Sequence, residues 1–551
     1  MKIPYNVVHV SGNVLFAARG GKIHSFSLDD GAHLSTWKHP DVDKVDAAVK
    51  AISDEASREK PVSQEPAVAE RQDEDEPPAK RQKVEEPKDE TTKAEAEASE
   101  EKQPEDKSVA EKKKGGKKSK NRQQNQQRTK EHNNISRVPD RPVITHLTST
   151  ANGSHILAIT GHDKVIWVFE NDGKGNLTQL SKRTMPKRPS DVIIGPDSQI
   201  ICADKFGDVY ALPLLFDPAS QPATPQPSTP TPARPAYKPS ANATTVHSKR
   251  NLRALDNQQR HMELATRTKA EAEGKSEGAG FELTLLLGHV SMLTALAIGE
   301  SEGRRYIITG DRDEHIRVSR YLPQAYVIEG FCFGHKDFIS SMTIPAPCGD
   351  ILVSGGGDED LFVWDWKSSK LLSRRSVLAL AQEILPDLTK VAVSGLYTLV
   401  YPHEGSDLVY ILAICEDISA IFSWQLTQDN ILNHPAIIQL PGKPLDLSVQ
   451  PASGVEPPKV ITALDPSSPT NAKSLAIYSL TMTDEKLATS TSALVNDEDI
   501  EKAQLEVDEK VVRSLLYNIE NLRKQSTDRD EEQGEEQATG EQGMVDVEVE
   551  G

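Results

Sequence analysis

Six stretches of the 551-residue chain follow one plan: a short apolar run, a turn of Gly, Asp or small residues, and a second run in which apolar and polar positions alternate. They read NVLFAARGGKIHSFSLDDG, HILAITGHDKVIWVFE, QIICADKFGDVYALPL, RYIITGDRDEHIRVSRY, ILVSGGGDEDLFVWDW and YILAICEDISAIFSWQL. Alternation with a period of two, bounded by turn residues, predicts β-hairpins. Their recurrence predicts an array of like units rather than one large sheet.

Two units carry a further mark. Gly334-His335 precedes Trp364-Asp365 by 28 intervening residues, and Gly288-His289 precedes Ser319-Arg320 by 29. Gly-His to Trp-Asp at this interval is the signature of a WD-repeat blade. Its physical basis is a polar chain in which the His bonds a turn Asp, and a strand Ser or Thr and the Trp N–H complete the network. The expected members are His335, Ser354, Asp358 and Trp364 in one blade. In the preceding blade they are His289, Thr309 and Asp313, with Ser319 where Trp would stand. The fold class is therefore all-β, a seven-bladed WD-repeat β-propeller with long disordered insertions and a C-terminal helix. Outside the insertions the chain divides into seven units of about 47 residues, near the ~40–45 of a WD repeat; six would need about 54. The ring is expected to close with the first strand against the last blade.

Composition locates the insertions. Hydrophobic residues are 36%, aromatics 5% and charged residues 27%, so much of the chain lacks the apolar surface to fold. Residues 41–137 contain no Phe, Trp or Tyr, and eight prolines fall between Pro218 and Pro239. The organisation expected is a first blade (1–40), a disordered charged insertion (41–137), blades 2 and 3 (138–216), a disordered Pro-rich insertion (217–280), blades 4 to 7 with the closing strand of blade 3 (281–487), a helical segment (488–525) and an acidic tail (526–551). In the helical segment Val511, Leu515, Ile519 and Leu522 recur at helical spacing and predict an amphipathic helix packed against the propeller. No run of 18 apolar residues and no signal-peptide pattern occurs, so a soluble, intracellular protein with no membrane partner is expected. Cys202, Cys332, Cys348 and Cys415 are scattered and fit reduced thiols.

Charge is uneven around a net of −19: residues 528–551 hold ten acids against one Arg, whereas 112–130 hold nine Lys or Arg and no acid. The basic run, with PAKRQKVEE at 78–86, fits a nuclear-import signal or a contact with RNA phosphates. No P-loop, strand-borne G-x-G-x-x-G, G-x-S-x-G or H-E-x-x-H occurs, and GGGDED at 355–360 reads as a blade turn rather than a metal site. No catalytic, cofactor-binding or metal-ligating residue is assigned.

The stretch GDRDEHIRVSRY (310–321) is the exception to a bland surface. Ile316 and Val318 continue the blade alternation, but Asp311, Arg312, Glu314 and Arg320 exceed what packing needs, and charges of both signs suit partner choice and orientation. Together with LLLGHVSMLTAL (285–296), CFGHKDFISS (332–341) and DKFGDVYAL (204–212), it resembles the fungal WD-repeat, non-catalytic subunit of tRNA (guanine-N7)-methyltransferase. The match is dense over about 200–375, weaker in the outer blades and absent from the insertions. The resemblance implies a nuclear heterodimer. A separate catalytic subunit would hold S-adenosylmethionine and form 7-methylguanosine in the tRNA variable loop. This chain would bind that subunit side-on and stabilise it, with tRNA engaged mainly through the complex. It makes Asp313, Glu314 and Arg317 the leading partner contacts, followed by Arg312, Arg320 and Lys336. A general WD-repeat scaffold for a chromatin or ubiquitin-ligase complex is the alternative.

Overall fold

A computed structural model of the chain describes residues 2–49, 140–215, 282–454, 456–466, 473–483, 485–493, 495–502 and 507–524. Most of the two expected insertions and the acidic tail lies outside these residues. Residues 44–139 form a unit of their own, of which 44–49 are described, continuing a helix that begins at residue 42. The insertion expected from residue 41 thus opens on helix.

The other unit is a propeller of seven four-stranded antiparallel sheets. Blade 1 is β1 (Val7–Ser11), β2 (Val14–Arg19), β3 (Lys22–Ser27) and β4 (His33–Lys38), and blade 2 is β5 (Ile144–Ser149), β6 (His155–Thr160), β7 (Val165–Asn171) and β8 (Leu177–Thr184). Blade 3 takes β9 (Pro189–Ile194), β10 (Gln199–Asp204) and β11 (Asp208–Pro213), and is completed by β12 (Thr284–Gly288) from beyond the Pro-rich segment. Blade 4 is β13 (Leu293–Ser301), β14 (Arg304–Asp311), β15 (Ile316–Arg320) and β16 (Ile328–Cys332). Blade 5 is β17 (Ile339–Thr343), β18 (Ile351–Gly356), β19 (Asp360–Asp365) and β20 (Lys370–Ser376). Blade 6 is β21 (Val393–His403), β22 (Ser406–Cys415), β23 (Ala420–Leu426) and β24 (Leu432–Gln439). Blade 7 is β25 (Lys443–Gln450), β26 (Lys459–Asp465), β27 (Leu475–Thr483) and β28 (Lys486–Ala493). Since β28 ends at Ala493, blade 7 runs past the expected boundary at 487.

The second and third strands of the blades are largely buried because neighbouring sheets cover both their faces. In β6 the residues from Ile156 to Thr160 are all buried, as are those from Val165 to Phe169 in β7. The core is accordingly divided into seven clusters, one between each pair of neighbouring blades. One close fit explains a glycine: a Cβ on Gly299 of β13 would stand 2.7 Å from the Trp366 ring of blade 5.

The ring closes without exchanging a strand. Blade 1 and blade 7 each hold four strands from their own end of the chain, and β1 lies beside β25. Val8 N–H donates to Asp446 Oδ2 at 2.8 Å and Val10 N–H to Ser448 Oγ at 3.0 Å, while Tyr5, Leu15, Ile461 and Ile477 share one cluster across the seam. Asp191 of blade 3 makes the same bridge, accepting Leu296 N–H of blade 4 at 2.7 Å.

Besides the helix that begins at residue 42, three α-helices occur among the described residues: α1 (Leu378–Ile384), α2 (Glu498–Lys502) and α3 (Glu509–Leu516). α1 was not expected from the sequence; it seats Leu378 and Ala381 in the core between blades 5 and 6. The C-terminal segment is not one continuous helix. α3 starts on an N-cap bond from Lys510 N–H to Asp508 and stops at Tyr517, and a separate 3-10 turn covers Glu520–Leu522. Val512 is buried, whereas Val511, expected on the apolar face, is exposed. All four cysteines are free thiols.

His24 of β3 is buried, with Nδ1 bonded to Thr36 Oγ1 at 2.8 Å. Burial, assisted by the Arg19 guanidinium, lowers its pKa to about 3. The folded state therefore keeps His24 neutral where the unfolded chain protonates it. Its contribution is complete above pH 6.5 and is lost as pH falls towards the folded value. At about 1.4 kcal/mol per pH unit, acidification to pH 5 removes roughly 2 kcal/mol. Urea midpoints should fall over this interval, and His24→Gln should flatten the profile.

Candidate partner-binding face

One face of the propeller carries the turns between second and third strands together with the connections between blades. The polar chains lie here. In blade 5, His335 Nδ1 meets Asp358 Oδ2 at 2.7 Å, His335 Nε2 meets Ser354 Oγ at 2.7 Å, and Trp364 Nε1 donates to Ser354 Oγ at 2.8 Å. An ionised carboxylate can only accept, so Nδ1 carries the proton and Nε2 accepts from the Ser354 hydroxyl. Asp358 also accepts Lys336 N–H at 2.9 Å, so the network ties the connection before the blade to the turn within it.

Blade 2 has a third network, missed in the sequence. Trp167 Nε1 donates to Thr160 Oγ1 at 3.0 Å, Thr160 donates to Asp163, and His39 Nε2 bonds Asp163 Oδ2 at 3.2 Å. The insertion separates His39 from its partners by more than a hundred residues. The legible signal was Thr160 and Trp167, seven apart.

Blade 4 departs from the pattern, and Asp313 is not the network carboxylate. His289 Nε2 bonds Thr309 Oγ1 at 2.9 Å, but the carboxylate facing His289 Nδ1, at 3.5 Å, belongs to Asp311. The reason is the residue two places after the strand hydroxyl: blade 5 has Gly356 there, whereas blade 4 has Asp311, whose Oδ1 accepts the Asp313 and His315 N–H groups at 2.9 and 3.0 Å. In place of the Trp, Ser319 accepts from Arg317 Nε at 2.9 Å, and Arg317 Nη1 donates to Gly288 O at 3.0 Å. Arg317 is only 8% exposed, and burial lowers its pKa. Its third nitrogen, Nη2, has no hydrogen-bond partner among the described residues. Arg317 is thus built into the blade while one edge of its fork remains unused.

The other expected contacts divide. Arg312, Asp313 and Glu314 occupy the β14–β15 turn, where Glu314 adopts a left-handed backbone with φ 76°, and exposed Lys336 follows in the next connection. Arg320 is at the opposite end of β15, paired with Glu329 and Gln324, and does not join them.

Around this turn lie apolar side chains that alternation did not single out. Phe206, Val290 and Phe333 are 61%, 107% and 64% exposed. The connection carrying Val290 touches the turn, since Arg312 N–H donates to Met292 O. It also abuts the Phe206 turn, where a Cβ on Gly207 would stand 2.3 Å from His289 O. Phe333 stacks on Phe331 and meets His315 edge-on at 5.7 Å, and Lys187 Nζ sits 4.1 Å from the Phe206 ring centre. Three exposed apolar groups ringed by charges of both signs have the composition of a docking surface.

The C-terminal segment crosses the same face. Arg312 Nε donates to Leu522 O at 2.8 Å, and Lys524 Nζ lies 3.3 Å from Asp313 Oδ1.

The family model described as the tRNA methyltransferase TRM82 WD40 domain matches residues 15–487. The chain belongs to this family. A relative from Sclerotinia sclerotiorum is 34% identical over 547 residues, covering 95% of this chain and 98% of its own length. Relatives from Phaeosphaeria nodorum and Aspergillus fumigatus are each 36% identical and cover 69% and 70% of this chain, and 83% and 80% of their own. All three are named non-catalytic subunits of tRNA (guanine-N(7)-)-methyltransferase. As a member of the TRM82 family this chain is a non-catalytic subunit, and its functional surface is one for binding. Among the described residues no helix is long and apolar enough to cross a membrane.

The two aspartates of the blade-4 turn should separate in a stability measurement. Asp311→Ala strips the turn of its buried acceptor and is expected to destabilise by about 1–3 kcal/mol. Asp313→Ala removes a partly exposed pair and should cost about 0–1 kcal/mol. Equal losses in urea titration would restore Asp313 to the network.

Proposed function

We propose that this chain binds the catalytic subunit of a tRNA (guanine-N7)-methyltransferase as a heterodimer and holds it in its active state for forming 7-methylguanosine in the tRNA variable loop. The observation that carries the reading is the blade-4 turn: a family member places charged Glu314 and the unused edge of Arg317 beside exposed Phe206, Val290 and Phe333. Apolar anchors with a charged rim suit an interface in which burial supplies affinity and charge sets register. Glu314 and Arg317 are the direct polar contacts, with Arg312, Asp313 and Lys336 flanking them. S-adenosylmethionine binds the partner alone, and tRNA engages the complex mainly through that partner. The basic segments at 78–86 and 112–130 support a nuclear location.

The test is tRNA methylation in vitro with S-adenosylmethionine, comparing the catalytic subunit, this chain, the pair, and the pair carrying Arg317→Glu or Glu314→Lys. Activity is expected in the intact pair only. If Arg317 meets a partner carboxylate away from water, Arg317→Glu should weaken binding by at least the roughly 2–5 kcal/mol expected on breaking such a pair. Glu314→Lys reverses a charge in the turn itself, whereas Arg317→Glu also removes the hydrogen bonds to Ser319 and Gly288, and urea midpoints measured for both variants separate the structural share. A pair no more active than the catalytic subunit alone would remove the reading and favour a general scaffold. Full activity in both variants would move the interface to another blade.

A further inference from the structure

The segment from α3 to Lys524 is a strap that touches blades 4, 5, 6 and 7. Tyr517 OH donates to Asp465 of blade 7 at 2.5 Å, and burial together with that carboxylate holds the phenol protonated well beyond its usual range. Arg513 pairs with Asp417 of blade 6 at 2.8 Å. The neighbouring Glu416 accepts Ile519 N–H and Glu520 N–H at 3.0 and 2.8 Å, serving as the cap of the 3-10 turn. Arg523 then spans blades 5 and 6. It pairs with Asp337 and donates to Gly357 O at 2.8 Å and to Val391 O at 3.1 Å, while Glu520 holds its other edge. The last contacts are those of Leu522 and Lys524 with Arg312 and Asp313 of blade 4.

We infer that this strap is a positioning element for the partner-binding turn of blade 4, acting through Lys524 and Leu522 on Asp313 and Arg312. The inference rests on the proposed heterodimer. Three observations carry it. Arg523 has its donors distributed over two carboxylates and two backbone carbonyls, which makes it an anchor. Up to Lys524 the strap reaches the turn, and among the described residues it leaves Phe206, Val290 and Phe333 exposed, standing beside the docking surface rather than on it. And the turn contains a non-glycine residue in the left-handed region at Glu314, a conformation that persists only where neighbours hold it. Asp311 holds the turn from inside the blade and the strap from outside. A turn ordered beforehand loses less conformational freedom on association. Asp313 therefore serves binding by fastening the turn to Lys524 rather than by touching the partner.

A charge exchange separates this arrangement from a direct contact. Full-length chains carrying Lys524→Glu, Asp313→Lys, or both are titrated against the catalytic subunit, with urea midpoints measured in parallel. Each single variant should weaken binding by about threefold to tenfold, the range expected on replacing a partly exposed ion pair by a like-charge one, with little change in the urea midpoint. The double variant should return to within about twofold of the wild type, because the exchanged pair re-forms. Wild-type affinity in Lys524→Glu, or a double variant as weak as Asp313→Lys alone, would overturn the inference. A wild-type chain that does not bind the catalytic subunit would remove the heterodimer reading, and this one with it.

Discussion

A propeller has to close on itself, and every other feature of this molecule presupposes that closure. Each blade is a four-stranded sheet whose middle strands are largely buried between neighbouring sheets, so each needs a neighbour on either side before its apolar surface is covered. Seven apolar clusters for seven interfaces satisfy that requirement around the ring. The seam between blades 7 and 1 has no shared strand, and its cohesion comes from a cluster built by both blades and from two side chains of β25 that accept the N–H groups of β1.

Closure leaves the outward-facing turns to be organised locally. In blades 2 and 5 a His, a hydroxyl, an Asp and a Trp form a continuous hydrogen-bonded path, each member giving its partners a defined donor or acceptor role. Blade 4 keeps His289 and Thr309 but replaces the Trp with Ser319, and Arg317 enters the vacated space. One guanidinium consequently serves two masters. It satisfies Ser319 and the Gly288 carbonyl within the blade and leaves one edge without a hydrogen bond among the described residues. A side chain held from behind in this way has little rotamer freedom left to lose on any association.

The blade count and the blade-5 network were legible because strand alternation and the Gly-His to Trp-Asp interval survive intact there. The blade-2 network was not, since His39 lies across the insertion from Thr160. Assigning Asp313 to His289 assumed that Thr309 and Ser354 are followed by equivalent residues; Asp311, standing where blade 5 has Gly356, is the acceptor instead. Helical spacing from Val511 to Leu522 correctly indicated an amphipathic element. The continuous helix fails because the Glu416 carboxylate supplies Ile519 and Glu520 with hydrogen bonds that the preceding turn would otherwise have provided. Helix α1, at seven residues, is too short for periodicity to register. Phe206, Val290 and Phe333 were visible as apolar residues in turns and connections, but only the packing shows that they share one surface.

The pairing of β11 with β12 has a consequence for how the ring is made. Blade 3 is joined to its own fourth strand only after the chain from Pro213 to Thr284 has been produced, and the blade 1–7 seam only after β25. During synthesis, blades 1 and 2 can therefore pair and pack while blade 3 still presents an open strand edge, a site for unwanted pairing. The entropic toll of joining β11 to β12 rises only slowly with the length between them. That junction can consequently tolerate large changes in insert size, making it a natural place to splice in a foreign domain without disturbing the ring.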